Sequence, residues 1–320
     1  MLFRSLLCSA VVANRQTTKS TDRAALERQR NRALGLDPPP LFETAAAAER
    51  FLAKVAVALR YGAGAGLPLA SLYHAAAGPE REKAALVRAI ELTNGLMGTG
   101  AGIEVNVIAE RLALVHRSAM PFLYALVRRR QAVDDVSDLT LGARVAYQMI
   151  RDRNEITAGM LRKRLGVAGT PKSDAAYEAL AELQRRLLVD RGPFEVQRSG
   201  IPYLPKEGYP YHFFHVVHAD LAKAAARHSP ENAAARFLRA YLGGAVFCSI
   251  RKMTAMFRQF LTAEEIEGAL TAMAAAGQIA VTGKGGARIA NTISRRVPDP
   301  RRDAKRVSRR GAEDAEDDLT

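Results

Sequence analysis

Apolar positions along this chain recur at helical spacing in several stretches and at strand-like spacing in a few, and the changes of period divide it into elements. In "ETAAAAERFLAKVAVALRYG" (43–62), Ala48, Phe51, Leu52, Val55 and Leu59 fall on one helical face, with Gly62 placed to stop the helix. The following "GAGAGLPLASLYHAAAG" reads as a glycine-rich turn leading into a short helix. Between 105 and 130, "VNVIAERLALVHRSAMPFLYALVRRR" alternates apolar runs with arginines and predicts one or two short helices.

The next hundred residues are the most regular. "LTLGARVAYQMIRD" (139–152) places Leu141, Val145, Met149 and Ile150 together, and "ITAGMLRKRLG" offers Thr157 as a cap and Gly166 as a stop for a short second helix. In "TPKSDAAYEALAELQRRLLVDRG", Ala176, Leu180, Leu183 and Leu187 recur at i, i+4, i+7 and i+11, a narrow apolar stripe. Pro171 suits a first helical turn, and Ser173 or Thr170 suits the cap. "PFEVQRSG" and "YPYHFFHVVH" are rich in β-branched and aromatic residues around a glycine and proline loop, which predicts a hairpin. Three helices and a hairpin in that order make a winged helix.

A looser copy follows. "SPENAAARFLRAYLGG" starts at Ser229 as cap and ends at Gly243, "CSIRKMTAMFR" is a short middle helix, and "LTAEEIEGALTAMAAAG" sets Ile266, Leu270 and Met273 in register. "QIAVTGKGGARIAN" then reads as strand, glycine turn and strand. The expected fold class is mainly α with small β-hairpins (α+β), built from tandem winged-helix modules. The divisions are a basic, disordered arm (1–40) ending in "LDPPP", an N-terminal helical or winged-helix-like region (41–135), a winged-helix module (136–222), a second such module (229–293) and a charged, disordered tail (294–320).

Charge changes the picture. Of the formal +14, the first 35 residues carry +5 and residues 294–320 carry +1, which leaves +8 on the body. A basic body suits a polyanionic partner. In the tail a basic run, "RRVPDPRRDAKRVSRR", meets an acidic tip, "EDAEDD", which can fold back on it or shield a DNA site. Two cysteines, Cys8 and Cys248, support no disulfide framework or thiolate zinc site. "MLFRSLLCSAVVA" resembles a signal peptide only faintly, because Arg4 breaks it, and no apolar segment reaches the roughly 18 residues that span a bilayer. A soluble, cytoplasmic, nucleoid-associated protein without membrane contact or cofactor is expected.

The glycine runs "GAGAG" and "GLMGTGAG" (95–102) lack the Gly-Lys-Ser/Thr ending of a phosphate loop and read as turns. His116, among apolar residues without a second ligand at metal spacing, reads as structural. His212, His215 and His218 with Asp220 are dense enough to suggest a metal or acid/base site, but on a strand 212 and 218 share a face while 215 points away.

The runs "FLYALVRRR…GARVAYQMIRDRNEITAGMLRKRLG…SDAAYEALAELQRRLLV…YHFFHVVHADL" and "AAARFLRAYLGGAV…LTAEEIEGALTAMAAAGQI" resemble the winged-helix proteins of the crosslink-repair DNA glycosylase (AlkZ-type) family, and are most similar to its shorter, uncharacterised relatives. The resemblance spans about residues 40 to 290 and is tightest from 120 to 220. It implies tandem winged helices that grip duplex DNA and, in the glycosylase members, hydrolysis of the bond between an alkylated base and its sugar. Their Gln-apolar-Gln motif positions the attacking water, and this chain has no Gln-x-Gln anywhere. The resemblance therefore carries over DNA binding and no catalytic residue; a divergent glycosylase would need a carboxylate such as Glu155 or Asp220 in its place.

A winged helix ordinarily lays its third helix in the major groove. Here the face opposite the leucine stripe holds Asp174, Glu178 and Glu182 with Arg185, and carboxylates repel phosphates. The candidate contacts lie beside it: Arg162, Lys163 and Arg164 on the second helix, Lys172 and Ser173 at the start of the third, Arg185 and Arg186 (with Arg191) at its end, and Arg198 (with Lys206) on the wing. Arg251, Lys252 and Arg258 repeat the pattern in the second copy, whose third helix again shows acids, Glu264 and Glu267. Such a footprint would hold the backbone without reading bases. Solvated faces with i, i+4 pairs such as Glu182 with Arg186 are the bland alternative, and acidic recognition faces also suit a protein-interaction scaffold.

Overall fold

The computed structural model describes residues 23–62, 66–78, 83–129, 131–132, 135–168, 174–191, 209–282 and 286–289. A first helix, α1 (Arg23–Ala33), precedes three units of one topology. Unit 1 comprises α2 (Ala45–Val55), β1 (Val57–Leu59), β2 (Ala70–Ser71), α3 (Leu72–Ala77), α4 (Lys83–Gly98), β3 (Gly102–Ile108) and β4 (Arg111–His116). A linking helix, α5 (Met120–Arg128), leads to unit 2: α6 (Leu141–Arg153), β5 (Ile156–Thr157), α7 (Ala158–Leu165), α8 (Ala175–Arg185), β6 (Val189–Asp190) and β7 (Pro210–Phe213). Two short helices, α9 (Phe214–Val217) and α10 (Ala219–Ala225), connect it to unit 3: α11 (Pro230–Ala245), β8 (Phe247–Ser249), α12 (Ile250–Phe257), α13 (Ala263–Ala275), β9 (Ile279–Thr282) and β10 (Gly286–Ile289). The chain is thus a mainly helical α+β protein.

In each unit the sequence of elements is helix, strand, helix, helix, strand, strand, with β2 an extra edge in unit 1. In each sheet the third strand lies between the first and the second: β1-β4-β3, β5-β7-β6 and β8-β10-β9. The short helices are set by their ends. Thr157 accepts from the Met160 backbone N–H and Gly166 closes α7 in the left-handed region; Ser249 caps α12 in the same way through Lys252 N. Ser229 caps α11, with Pro230 in the first turn.

Four local expectations are corrected. Residues 105–116 form most of a β-hairpin instead of a helix: Ala109 and Glu110 both adopt positive φ, 52° and 55°, the geometry of a primed two-residue turn, and β3 is buried on both faces, so no alternation shows in its sequence. Residues 23–40 are not a free arm, since α1 forms and Leu26 and Leu34 are buried. The first helix of unit 1 stops at Val55, where Ala56 turns to φ 61°, so Leu59 belongs to a strand and Gly62 caps nothing. The run 95–102 is a turn only after Gly98, because α4 continues through Gly95. Residues 1–22 of the arm, the wing segment 192–208 and the tail lie outside the described residues, as do Lys172, Ser173 and Arg198.

Two cores result. One contains α2, α4 and β3–β4 of unit 1 together with α11, α12 and α13 of unit 3. Its seam is the approach of α11 to α2, so close that a side-chain carbon on Gly244 would come 2.4 Å from the Val55 Cα. Phe237, Tyr241 and Phe257 stack edge to face there, and the Tyr241 hydroxyl donates to the Pro68 carbonyl at 2.9 Å. The other core is unit 2's own: Ala143, Ala146, Ile150, Ile156, Leu161, Ala176, Leu180, Leu183 and Val189, with the leucine stripe of α8 facing α6 and α7. The stripe's last member, Leu187, joins the larger core, as do Phe214 and Leu221 beyond β7. Leu141, expected on the buried face of α6, is 70% exposed.

Candidate nucleic-acid interface

The third helix of unit 2 is capped by Asp174, which accepts from the Ala176 and Tyr177 backbone N–H groups; the cap is not Ser173 or Thr170. The same carboxylate takes the Arg162 guanidinium at 2.6 Å, and Arg162 also lies over the Tyr177 ring, 4.9 Å from its centroid. Burial raises the Asp174 pKa, but the Arg162 hydrogen bond and the cap bonds outweigh it and hold the group below the ordinary aspartate range. Glu182 accepts from both the backbone N–H and the hydroxyl of Thr140, at 3.1 and 2.6 Å. The Glu182–Arg186 pair of the bland alternative therefore does not form, and Arg186 turns to Asp138. Of the three carboxylates expected to face outward from α8, Glu178 is the exposed one with no bond of this kind.

Lys163 and Arg164, beside Arg162 on α7, are exposed and make no hydrogen bond or ion pair among the described residues. Arg251 in α12 is exposed in the same way. It stands seven residues before Arg258, which puts the two about 20° apart around the helix axis. Arg258 binds Glu110 through Nε, at 3.1 Å, and through a terminal nitrogen. Lys252 donates to the Gly66 carbonyl at 2.6 Å.

Glu110 stands on the turn of the β3–β4 hairpin, which is wedged between units 2 and 3. Ala109 N–H donates to the Met256 carbonyl at 2.7 Å, and the Asn106 amide donates to the Ala181 carbonyl of α8 at 3.3 Å. The hydrogen bond and charge of Arg258, and more weakly the charge of Arg185, lower the Glu110 pKa. The hairpin thus gathers two candidate cations from different units, Arg185 and Arg258, about one carboxylate, and Arg251 extends their line along α12.

Other arginines act as mortar between units. Arg128 is buried and donates to the carbonyls of Ala132 and Arg186, and Arg129 donates to Phe260 O and to the Glu265 carboxylate of α13. Most enclosed is Glu104 of β3, whose side chain is 1% accessible and meets Arg60 on one oxygen and Arg191 on the other; Arg60 also donates to Asn94 at 3.1 Å. Burial works against the Arg191 charge, and Glu104 more than offsets it, so that guanidinium is held protonated beyond its usual range. Sequence reading missed this triad. Its signal was a lone glutamate inside the apolar strand "GIEVNVI".

The histidines separate. After Phe213 the chain leaves β geometry for α9, so His212 lies 3.6 Å from Glu155, His215 stacks on Phe213, and His218 meets the buried Asp190 at 2.7 Å. Among the described residues no three metal-ligating side chains converge. Asp220 pairs with Arg117 at 3.0 Å; it and Glu155 are both exposed. His116 bonds Ser118 through Nδ1, and burial lowers its pKa. No described helix is long and apolar enough to cross a membrane.

No protein-family model and no curated protein matches this sequence. Among solved structures the chain is similar to the DNA glycosylase AlkZ of Streptomyces sahachiroi, at 11% identity and a TM-score of 0.46, over 79% of this chain and 66% of that one. The chain therefore spans just under two thirds of that protein's length. So distant an overlap leaves function to be argued from this chain's own residues.

Proposed function

We propose that the three units are winged helices and that the protein binds the sugar–phosphate backbone of duplex DNA without reading its bases. The observation that carries this reading is where cations stay unpaired. Among the cations expected at the interface, those of units 2 and 3 without a hydrogen bond or ion pair among the described residues lie on the second helix, Lys163, Arg164 and Arg251, with Arg185 at the end of α8; the first helices carry further exposed arginines of this kind, Arg144, Arg151 and Arg153 in α6 and Arg239 in α11. The exposed positions of the third helices hold carboxylates instead: Glu178, Glu264 and Glu267. A backbone bearing one charge per about 1.7 Å repels the second set and attracts the first. Arg162, Arg186 and Arg258, each held by a carboxylate, serve the fold first.

Titrating labelled duplexes of unrelated sequence between 50 and 200 mM salt tests this. Four phosphate contacts give a slope of log K against log salt near −4, and Lys163→Glu with Arg164→Glu reduces it by about 2, equally for every sequence. Absence of binding at 50 mM salt, or binding without salt dependence, removes the proposal. Capture of a stoichiometric protein partner by the acidic faces after nuclease treatment would replace it with a scaffold role.

A further inference from the structure

On the outward side of α11 a groove of about 490 Å³ is lined by Asn232, Arg236, Arg239 and Gly243, with Phe122 of α5 on one wall and Gln278 on the other. It lies outside the interface described above. The Arg236 guanidinium rests over the Phe122 ring, 5.7 Å from its centroid, and spends only Nε on Asn232, at 3.0 Å. Arg239 is exposed and makes no bond among the described residues. Two guanidiniums three residues apart on one helical face repel each other unless an anion sits between them. Nothing lies within 4 Å of where a side chain on Gly243 would begin, so the floor is open.

Position and charge together name an occupant. Strand β10 ends at Ile289, whose register partner is Ile279, so the last described residue lies beside Gln278, at the groove's edge. Beyond it come a basic stretch, which the arginines repel, and then five acids in six residues, Glu313 to Asp318. The 23 residues from 290 to 312, treated as a flexible linker, span about 26 Å root mean square. A helix of 16 residues such as α11 is about 24 Å long. We infer that the acidic run Glu313–Asp318 docks in the α11 groove against Arg236 and Arg239. Tethered at that distance it experiences an effective concentration on the order of 1 mM, enough to occupy a site of modest intrinsic affinity.

The test uses a fluorescent peptide of residues 311–320 added to the full chain, read by anisotropy. The native chain already fills its groove. A full-length variant with a neutral run (E313Q, D314N, E316Q, D317N, D318N) should therefore bind the peptide about ten-fold more tightly than the native chain does, as expected for an intrinsic Kd of about 0.1 mM. Adding Arg236→Glu and Arg239→Glu should abolish that binding with an unchanged thermal midpoint. Should the double reversal disturb folding, Arg239→Gln alone, at an exposed position without a partner, should weaken the peptide several-fold. Equal affinity for the native and neutral-run chains overturns the inference, as does binding indifferent to either arginine. If the reversals weaken duplex DNA and leave the peptide unaffected, the groove is a nucleic-acid contact and the inference is likewise wrong. Failure of duplex binding by the native chain bears on the proposed function and leaves this result independent.

Discussion

Units 1 and 3 are distant in sequence yet share one apolar core, whereas unit 2, which lies between them in the chain, keeps a core of its own and meets unit 1 across ionic and amide groups, with Leu187 alone of its apolar stripe reaching into the larger core. At the first junction Gly244 lets α11 touch the backbone of α2, and Phe237, Tyr241 and Phe257 fill the space around it. At the second, Arg60, Glu104 and Arg191 form a buried triad, and Asn106 reaches Ala181. Three buried polar atoms there, Asn106 Oδ1, Gln184 Nε2 and Arg191 Nε, have no partner among the described residues. Apolar contact stabilises roughly in proportion to area, while a buried ion pair about breaks even against desolvation and chiefly specifies orientation. The same topology is therefore used in two ways, as a rigid fused pair and as a unit held in register by charges.

Core truncation separates the two bodies most sharply. Phe257→Ala should cost about 3–5 kcal/mol and Leu183→Ala about 2–5 kcal/mol, since both side chains are buried. Calorimetry should show the first lowering the transition of units 1 and 3 and the second lowering that of unit 2. Identical effects of both on a single transition would mean that the polar seam couples the bodies as firmly as an apolar one.

Glu104→Gln attacks the seam itself. It removes the one carboxylate between two enclosed guanidiniums, and breaking a buried pair from one side costs about 3 kcal/mol or more. The loss should appear as faster hydrogen exchange in β3, α8 and β6, with α2 and α11 unchanged. Uniform loosening of α2 and α11 as well would place the triad inside the rigid body.

Much of unit 2 and unit 3 was legible because their helices announce themselves. Thr157, Gly166, Ser229 and Ser249 are local signals, and the stripe Ala176, Leu180, Leu183 and Leu187 is regular. Unit 1 was not, because β3 is enclosed on both faces and its turn uses Ala109 and Glu110 where Asn-Gly would have been recognised. The cations were legible as residue types only. Which of them remain unpaired depends on carboxylates distant in sequence, such as Glu110 for Arg258 and Asp138 for Arg186.

Alkali should strip both bodies through buried protons, those of the shared core beginning at lower pH. Burial raises the Cys248 thiol, in the shared core, to about 11 and the Tyr211 hydroxyl, in unit 2, to about 12. Each group keeps its proton longer folded than unfolded. The stability it contributes is thus complete below the unfolded pKa, near 9 for the thiol and 10 for the phenol, and is lost as pH rises through the folded value. Holding a proton to a pH higher by about two corresponds to about 3 kcal/mol. Unfolding midpoints measured from pH 8 to 12 should fall first for units 1 and 3 and then for unit 2. Cys248→Ala and Tyr211→Phe should each flatten their own part of the curve, whatever they cost at neutral pH.

The smallest expected effects compare one position in the two bodies, the N-terminus of the third helix. Thr262 and Glu265 make a capping box on α13, with Glu265 also held by Arg129, just past the end of α5; Asp174 caps α8 and is held by Arg162. Thr262→Ala should cost about 1 kcal/mol in the fused body, and Asp174→Ala about 1–2 kcal/mol in unit 2, where cap and ion pair are lost together. Asp174→Asn keeps an oxygen for the cap and loses only the charge, so it should cost less than Asp174→Ala. Both carboxylates sit below their ordinary pKa, Glu265 mainly through its Arg129 hydrogen bond and Asp174 through Arg162 and the cap bonds that outweigh its burial. Their contribution is present above the unfolded value and is lost as pH falls through the folded one. Denaturant midpoints at pH 7 and pH 3 should therefore bring Asp174→Asn and the native chain closer together at the lower pH. A difference undiminished between the two pH values would show that the side chain's role in unit 2 is packing beside Tyr177 and not charge.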